Sequence, residues 1–304
     1  MIARHRSLTL FAALALVSPL RPAAAQLDVV TTTTDLYNIA RAVGGERISV
    51  EHISAGYQDP HFVDAKPSFV LELRDADALA LVGLGLEAGW LPLLIDGARN
   101  TDIRPGGPGY IDVSQVIPVL DVKVNADRSM GDVHPLGNPH YWLDPANAKR
   151  IARLFQERFT ALDPRGAATY ARNADAFEAK LDATVGSWQG MLDVIRGKPV
   201  VAWHTSWNYF ADFTGMDIVG YMEPKPGVPP SPSHLAGLIL QMRRTGADVI
   251  IMEPFYDRKT ADFVASRTGA KVLILPPSVG GMDGLQDYVM VMDYNIRQLF
   301  TALQ

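Results

Sequence analysis

Residues 165–195 read RGAATYARNADAFEAKLDATVGSWQGMLDVI, and their apolar positions decide the architecture. Tyr170, Phe177, Leu181, Val185, Trp188, Leu192 and Ile195 are separated by 7, 4, 4, 3, 4 and 3 residues, the recurrence of one face of a helix. The spacing predicts a helix over 165–195. At about 1.5 Å per residue it is on the order of 45 Å long, enough to cross a whole molecule rather than one lobe.

On either side, short apolar runs alternate with helical patterns. Before the long helix, 27–32, 48–53 and 78–82 read as strands. A helix begins at Thr34 or Asp35 as cap and stops at Gly44-Gly45, and others span 67–74 and 90–95. The stretch 105–137 is loop-rich, and after Asp144-Pro145 a helix carries Ala148, Ile151, Ala152, Phe155 and Phe159 on one face. Beyond the long helix, strands at 199–203, 217–221, 248–252 and 271–275 alternate with helices at 207–214, 233–245, 259–268 and 288–303. Such alternation implies an α/β fold with mostly parallel sheets. The expected organisation is therefore two α/β lobes, 26–163 and 197–304, joined by one long helix over 164–196.

The first 25 residues read differently. Arg4 and Arg6 precede an apolar run over 8–17, and Ala23-Ala24-Ala25 then offers a signal-peptidase site before Gln26. The run is too short to span a bilayer. Residues 1–25 are expected to be a signal peptide, with a soluble, exported product starting near Gln26.

With 48% hydrophobic and 20% charged residues over 304 positions, the chain has the material for a real core and is no disordered tract. It contains no cysteine, which excludes thiolate nucleophiles, Fe–S clusters, Cys-type zinc sites and a lipid-anchored Cys terminus. The net charge is −5, and without Arg4, Arg6 and Arg21 the remaining 25 basic and 33 acidic residues leave −8. That balance argues against nucleic-acid binding and suits small cations.

Seven histidines remain to be placed. His61 (in Gln58-Asp59-Pro60-His61), His140 (in Gly137-Asn138-Pro139-His140) and His204 (after Val200-Val201-Ala202-Trp203) lie at strand ends or in turn-like contexts, where open α/β sheets build ligand sites. Glu253 stands in the same relation to the strand 248–252. Imidazole nitrogens with one carboxylate oxygen form a tetrahedral set that suits Zn²⁺. His52, inside a strand, and His234, at a helix start, read as structural. His134 reads the same way, with metal capture at the site's entrance as its second reading.

Asp59-Pro60-His61 with Lys66-Pro67-Ser68, Asn138-Pro139-His140-Tyr141-Trp142-Leu143-Asp144-Pro145, and Trp203-His204 followed by Tyr209-Phe210 resemble the motifs of the metal-binding solute receptors of zinc and manganese ABC importers. Gly83-Leu84-Gly85-Leu86-Glu87 and Met252-Glu253-Pro254 extend the resemblance over nearly the whole mature chain. It implies a monomeric, periplasmic, two-lobed receptor of the rigid-linker type, with the long helix as spine and the ion between the lobes, handed on to a membrane permease. The positions matching the family's first three ligands are His61, His140 and His204. Manganese-type members tend to place a carboxylate third, so histidine at 204 favours Zn²⁺ over Mn²⁺, in agreement with the nitrogen-rich set.

Two departures stand out. The Asp that many members supply near the last strand has no counterpart in Leu275-Pro276-Pro277-Ser278. Glu253 is the expected replacement as fourth ligand, the alternatives being a role behind a histidine or a water in its place. The His-rich loop of zinc-type members is also missing, since 121–133 holds no histidine. The Pro-rich run from Glu223 to Gly227 reads as a rim loop or a rigid connection. The competing functional class is a secreted zinc hydrolase, because three protein ligands plus water is also a catalytic pattern. Against it, the chain has no His-Glu-x-x-His helix and no Gly-x-Ser-x-Gly elbow, and no base stands out besides Glu253. An adhesion or metallochaperone module on the same fold is a third class.

Overall fold

The computed structural model describes residues 26–123 and 134–304. The expected signal peptide, 1–25, lies outside the described residues, as does most of the stretch 121–133. In chain order the elements are β1 (Leu27–Thr31), α1 (Thr34–Gly44), β2 (Ile48–His52), α2 (Pro67–Asp75), β3 (Ala78–Leu81), α3 (Leu91–Ala98), β4 (Tyr110–Asp112), α4 (Pro145–Leu162) and α5 (Ala167–Ile195). They continue with β5 (Pro199–Ala202), α6 (Asn208–Thr214), β6 (Asp217–Tyr221), α7 (Pro232–Thr245), β7 (Val249–Met252), α8 (Lys259–Thr268), β8 (Lys271–Ile274) and α9 (Tyr288–Leu303).

Two four-stranded sheets result, ordered β2-β1-β3-β4 and β6-β5-β7-β8, with parallel pairing throughout. Val29 pairs with Val50 on one side and Ala78 on the other, and Ala202 likewise lies between Tyr221 and Ile251. The central strands are covered on both faces, so β3 and β7 read as unbroken apolar runs and are buried at every position.

The long helix is present as α5, preceded by a 3₁₀ turn over Pro164–Gly166. It buries Tyr170, Ala174, Phe177, Leu181, Trp188, Leu192 and Ile195 against α1, α4 and α9. The Trp188 indole N–H donates to Asp293 Oδ1 at 2.9 Å and ties it to α9. One continuous apolar core takes in Val29 and Ala80 of the first sheet, this helix, and Val200 and Ile251 of the second. Among the described residues no helix is long and apolar enough to cross a membrane.

Hydrogen bonds between distant parts of the chain reinforce that core. Val279 N–H donates to Asp35 Oδ1 at 3.1 Å, Tyr288 N–H to Asn38 Oδ1 at 3.1 Å, and the Trp142 indole to the Pro277 carbonyl at 2.8 Å. The Tyr288 hydroxyl closes the set on the Trp142 carbonyl at 2.6 Å. Burial pushes the Asp35 carboxyl up to about 7 against the pull of its Ser278 and Val279 hydrogen bonds.

The structure differs locally from the sequence expectations. Thr33, rather than Thr34 or Asp35, caps α1, its hydroxyl accepting from Leu36 N–H. The loop-rich stretch 105–137 contains β4, whose three residues are too few to show a period.

Candidate metal centre

Two of the three histidines predicted to be ligands are set by one local device. In Asp59-Pro60-His61, Asp59 Oδ1 accepts the His61 backbone N–H at 3.0 Å and meets His61 Nδ1 at 2.6 Å. Asn138 Oδ1 does the same for His140, at 3.0 Å and 2.9 Å. The intervening proline fixes the chain so that the Asx oxygen reaches both nitrogens of the residue two positions on. Asn138 is held in turn by donating to the Thr205 carbonyl at 2.8 Å.

His204 is placed differently, in extended backbone two residues beyond the end of β5. Its Nδ1 meets Glu223 Oε2 at 2.8 Å, and that oxygen also accepts Gly227 N–H at 3.0 Å. The loop read as a rim therefore supplies the group that orients a predicted ligand. In each case Nδ1 faces an oxygen acceptor, so it carries the proton and Nε2 is the nitrogen left for a metal.

The ligand nitrogens of His61, His140 and His204 lie within 4.8 Å of one another. His140 and His204 are buried, and the His204 Nε2 has no hydrogen-bond partner, an orphan that a cation would satisfy. Between them lies a cavity of about 10 Å³ that touches Asp59, Trp142, Ser206 and Pro277. It is the size of one ion or one water.

Burial lowers His140 well below the ordinary imidazole range, and the neighbouring histidines lower it further. The same causes push His134 down to about 3. Both rings are thus neutral, as coordination requires. Burial tends to raise Asp59, yet its hydrogen bond and charge contact with His61 prevail and hold it below the usual carboxylate range.

Glu253 follows β7 directly and is fully buried, but it is not part of the three-histidine cluster. Neither of its oxygens makes a hydrogen bond of normal geometry, and burial drives it up to about 8 despite the Ser206 hydroxyl nearby. Of the histidines read as structural, His52 and His234 bond to the backbone carbonyls of Ser54 and Tyr221. His134 instead brings its Nε2 to 3.1 Å from His61 Nε2.

Residues 29–302 match the family model described as zinc-uptake complex component A, periplasmic (ZnuA). The chain belongs to this family. Among ZnuA-like relatives, the zinc-binding lipoprotein AdcA of Streptococcus pneumoniae serotype 4 is 25% identical over 289 residues, covering 90% of this chain and 55% of that one. This chain thus spans about half the length of that relative. The manganese-binding lipoprotein MntA of Halalkalibacterium halodurans is 23% identical over 282 residues, 91% of this chain and 88% of its own length. A crystal structure of ZnuA superposes with a TM-score of 0.77 at 24% identity, covering 92% of this chain and all of that one. The ZnuA fold accounts for the two parallel sheets and the long helix.

Proposed function

We propose that this chain is the periplasmic solute receptor of an ABC importer, that it takes up one Zn²⁺ between lobes 26–163 and 197–304, and that it passes the ion to a membrane permease. The observation that carries this reading is the cluster of three imidazoles, each with Nδ1 held by an oxygen and Nε2 left for an ion. His61, His140 and His204 are the ligands. Family membership and the metals named for AdcA and MntA support a metal cargo. Nitrogen donors favour Zn²⁺ over Mn²⁺, which prefers carboxylates and water.

No catalytic step is assigned. The small cavity at the three nitrogens is the size of an ion, and Glu253, the one candidate base, stands outside the cluster. Whether this carboxyl serves as a ligand is what its variants test. Binding displaces whatever protons the imidazoles hold and fixes rings that Asp59, Asn138 and Glu223 already orient, so little ordering is left to the ion.

The test is the metal content of protein purified without added metal, followed by competition between the two ions. One tightly held Zn²⁺ per chain, not displaced by excess Mn²⁺, is expected. Failure to retain zinc, or ready displacement by manganese, overturns the reading.

A further inference from the structure

We propose that His134 is the fourth ligand of this centre, closing it on the side of the open cleft. The inference rests on the zinc-receptor reading and concerns a residue outside the motifs that carry the family resemblance.

The first observation is chemical. His134 Nδ1 lies 3.2 Å from the Leu84 carbonyl, which only accepts, so the proton sits on Nδ1 and Nε2 presents a bare lone pair. Asp59 imposes the same tautomer on His61. The two Nε2 atoms nevertheless face each other at 3.1 Å. In the neutral form that coordination requires, two imidazoles in this tautomer have no hydrogen to share across that gap, and their lone pairs repel. A cation between them turns the repulsion into attraction. Two nitrogens bound to Zn²⁺ at 2.0–2.1 Å in a tetrahedron are about 3.3 Å apart, close to what is found.

The second observation is positional. His134 stands one imidazole further out than the cluster, with its ring centroid 5.2 Å from that of His61 and 6.4 Å from that of His140. It lines a cleft of about 500 Å³ together with His61, Phe62, Leu84 and Trp90. His140 and His204 are buried, whereas His61 and His134 face this cleft, so His134 closes the centre on its open side. Glu253, the competing fourth ligand, is not part of the three-histidine cluster.

The experiment measures zinc affinity and dissociation rate for the wild type, His134→Ala and His134→Gln, with the visible spectrum of each cobalt-loaded protein as a report on donor type. Glutamine can keep the hydrogen bond to Leu84 and most of the bulk. Expected are a loss of affinity of about 100-fold or more in both variants, carried by faster dissociation, an altered cobalt spectrum, and an unchanged melting temperature of the metal-free protein. The proposal is overturned if both variants keep the wild-type affinity, dissociation rate and spectrum. Slowed association at unchanged affinity also overturns it, because His134 then only guards the entrance. A wild type that binds no zinc defeats the receptor reading itself. Loss of binding in His61→Ala with full retention in the His134 variants leaves that reading standing and removes only this inference.

Discussion

The two sheets share one strand order, yet they treat the same crevice in opposite ways. In each, the order reverses at a central strand, and the groove beyond the carboxyl ends at that reversal is where such sheets bind ligands. In the first sheet, between β1 and β3, Glu87 fills the groove: its carboxylate accepts the Thr32 hydroxyl at 2.7 Å, Val82 N–H at 2.7 Å and Gly83 N–H at 3.0 Å. Burial raises it to about 6, the same hydrogen bonds restraining the shift. In the second, between β5 and β7, the corresponding groove holds His204 with an orphan Nε2 and Glu253 with two orphan oxygens. One groove is saturated and serves the fold. The other leaves polar atoms unpaired, which a protein tolerates where something is to bind.

The sharpest way to break this contrast is His204→Ala. Zinc affinity is expected to fall more than about 100-fold, beyond the range for groups that merely hold a ligand. Calorimetry showing near-normal binding defeats the assignment of the second groove. Glu87→Ala is the converse. It strands two backbone N–H groups and a hydroxyl in a buried site, costing about 3 kcal/mol of stability in denaturant titrations with zinc affinity nearly unchanged.

A third comparison uses Glu223→Gln, which retains a hydrogen bond to His204 but removes the charge. An affinity loss of roughly 10–100-fold is expected from competitive zinc titration, and a wild-type value removes Glu223 from the design. Within the second groove, the smallest expected effect on zinc affinity belongs to Glu253→Gln. With a folded-state value near 8 against 4.5 unfolded, Glu253 contributes fully below pH 4.5, and its contribution is lost as pH rises toward 8. The variant lacks that decline, so its stability relative to wild type, both metal-free, should rise by roughly 4 kcal/mol between pH 4.5 and pH 8, the cost of the buried amide being the same at both. Zinc affinity should change by less than about tenfold. A loss equal to that of His204→Ala identifies Glu253 as a ligand.

Much of the scaffold was legible because it depends on periodicity. The apolar stripe of α5, and the bounds of β6, α8 and α9, follow from residue type alone. The histidines at 61, 140 and 204 were visible as motif positions, and the repeated Asx-Pro-His pattern could have revealed the orienting roles of Asp59 and Asn138. Glu223 was not legible: it lies 19 residues from His204, and the fold alone brings them together. The approach of His134 to His61 was not legible, because the path of a loop has no period to read. Glu253 does follow β7 directly, as its sequence position implied, but whether its carboxylate reaches the ion is not written in its neighbours.

The hydrogen bonds that join Asp35 to Val279 and Asn38 to Tyr288 have a consequence for how the chain acquires its shape. They link positions 244 and 250 residues apart, so α1, near the start of the described chain, is completed by a segment close to its end. Contacts this distant close late and slow the search for the native topology. The amino-terminal half cannot finish folding until the last helix has arrived. Removing the 16 residues of α9 should therefore unravel both sheets together, rather than release one intact half.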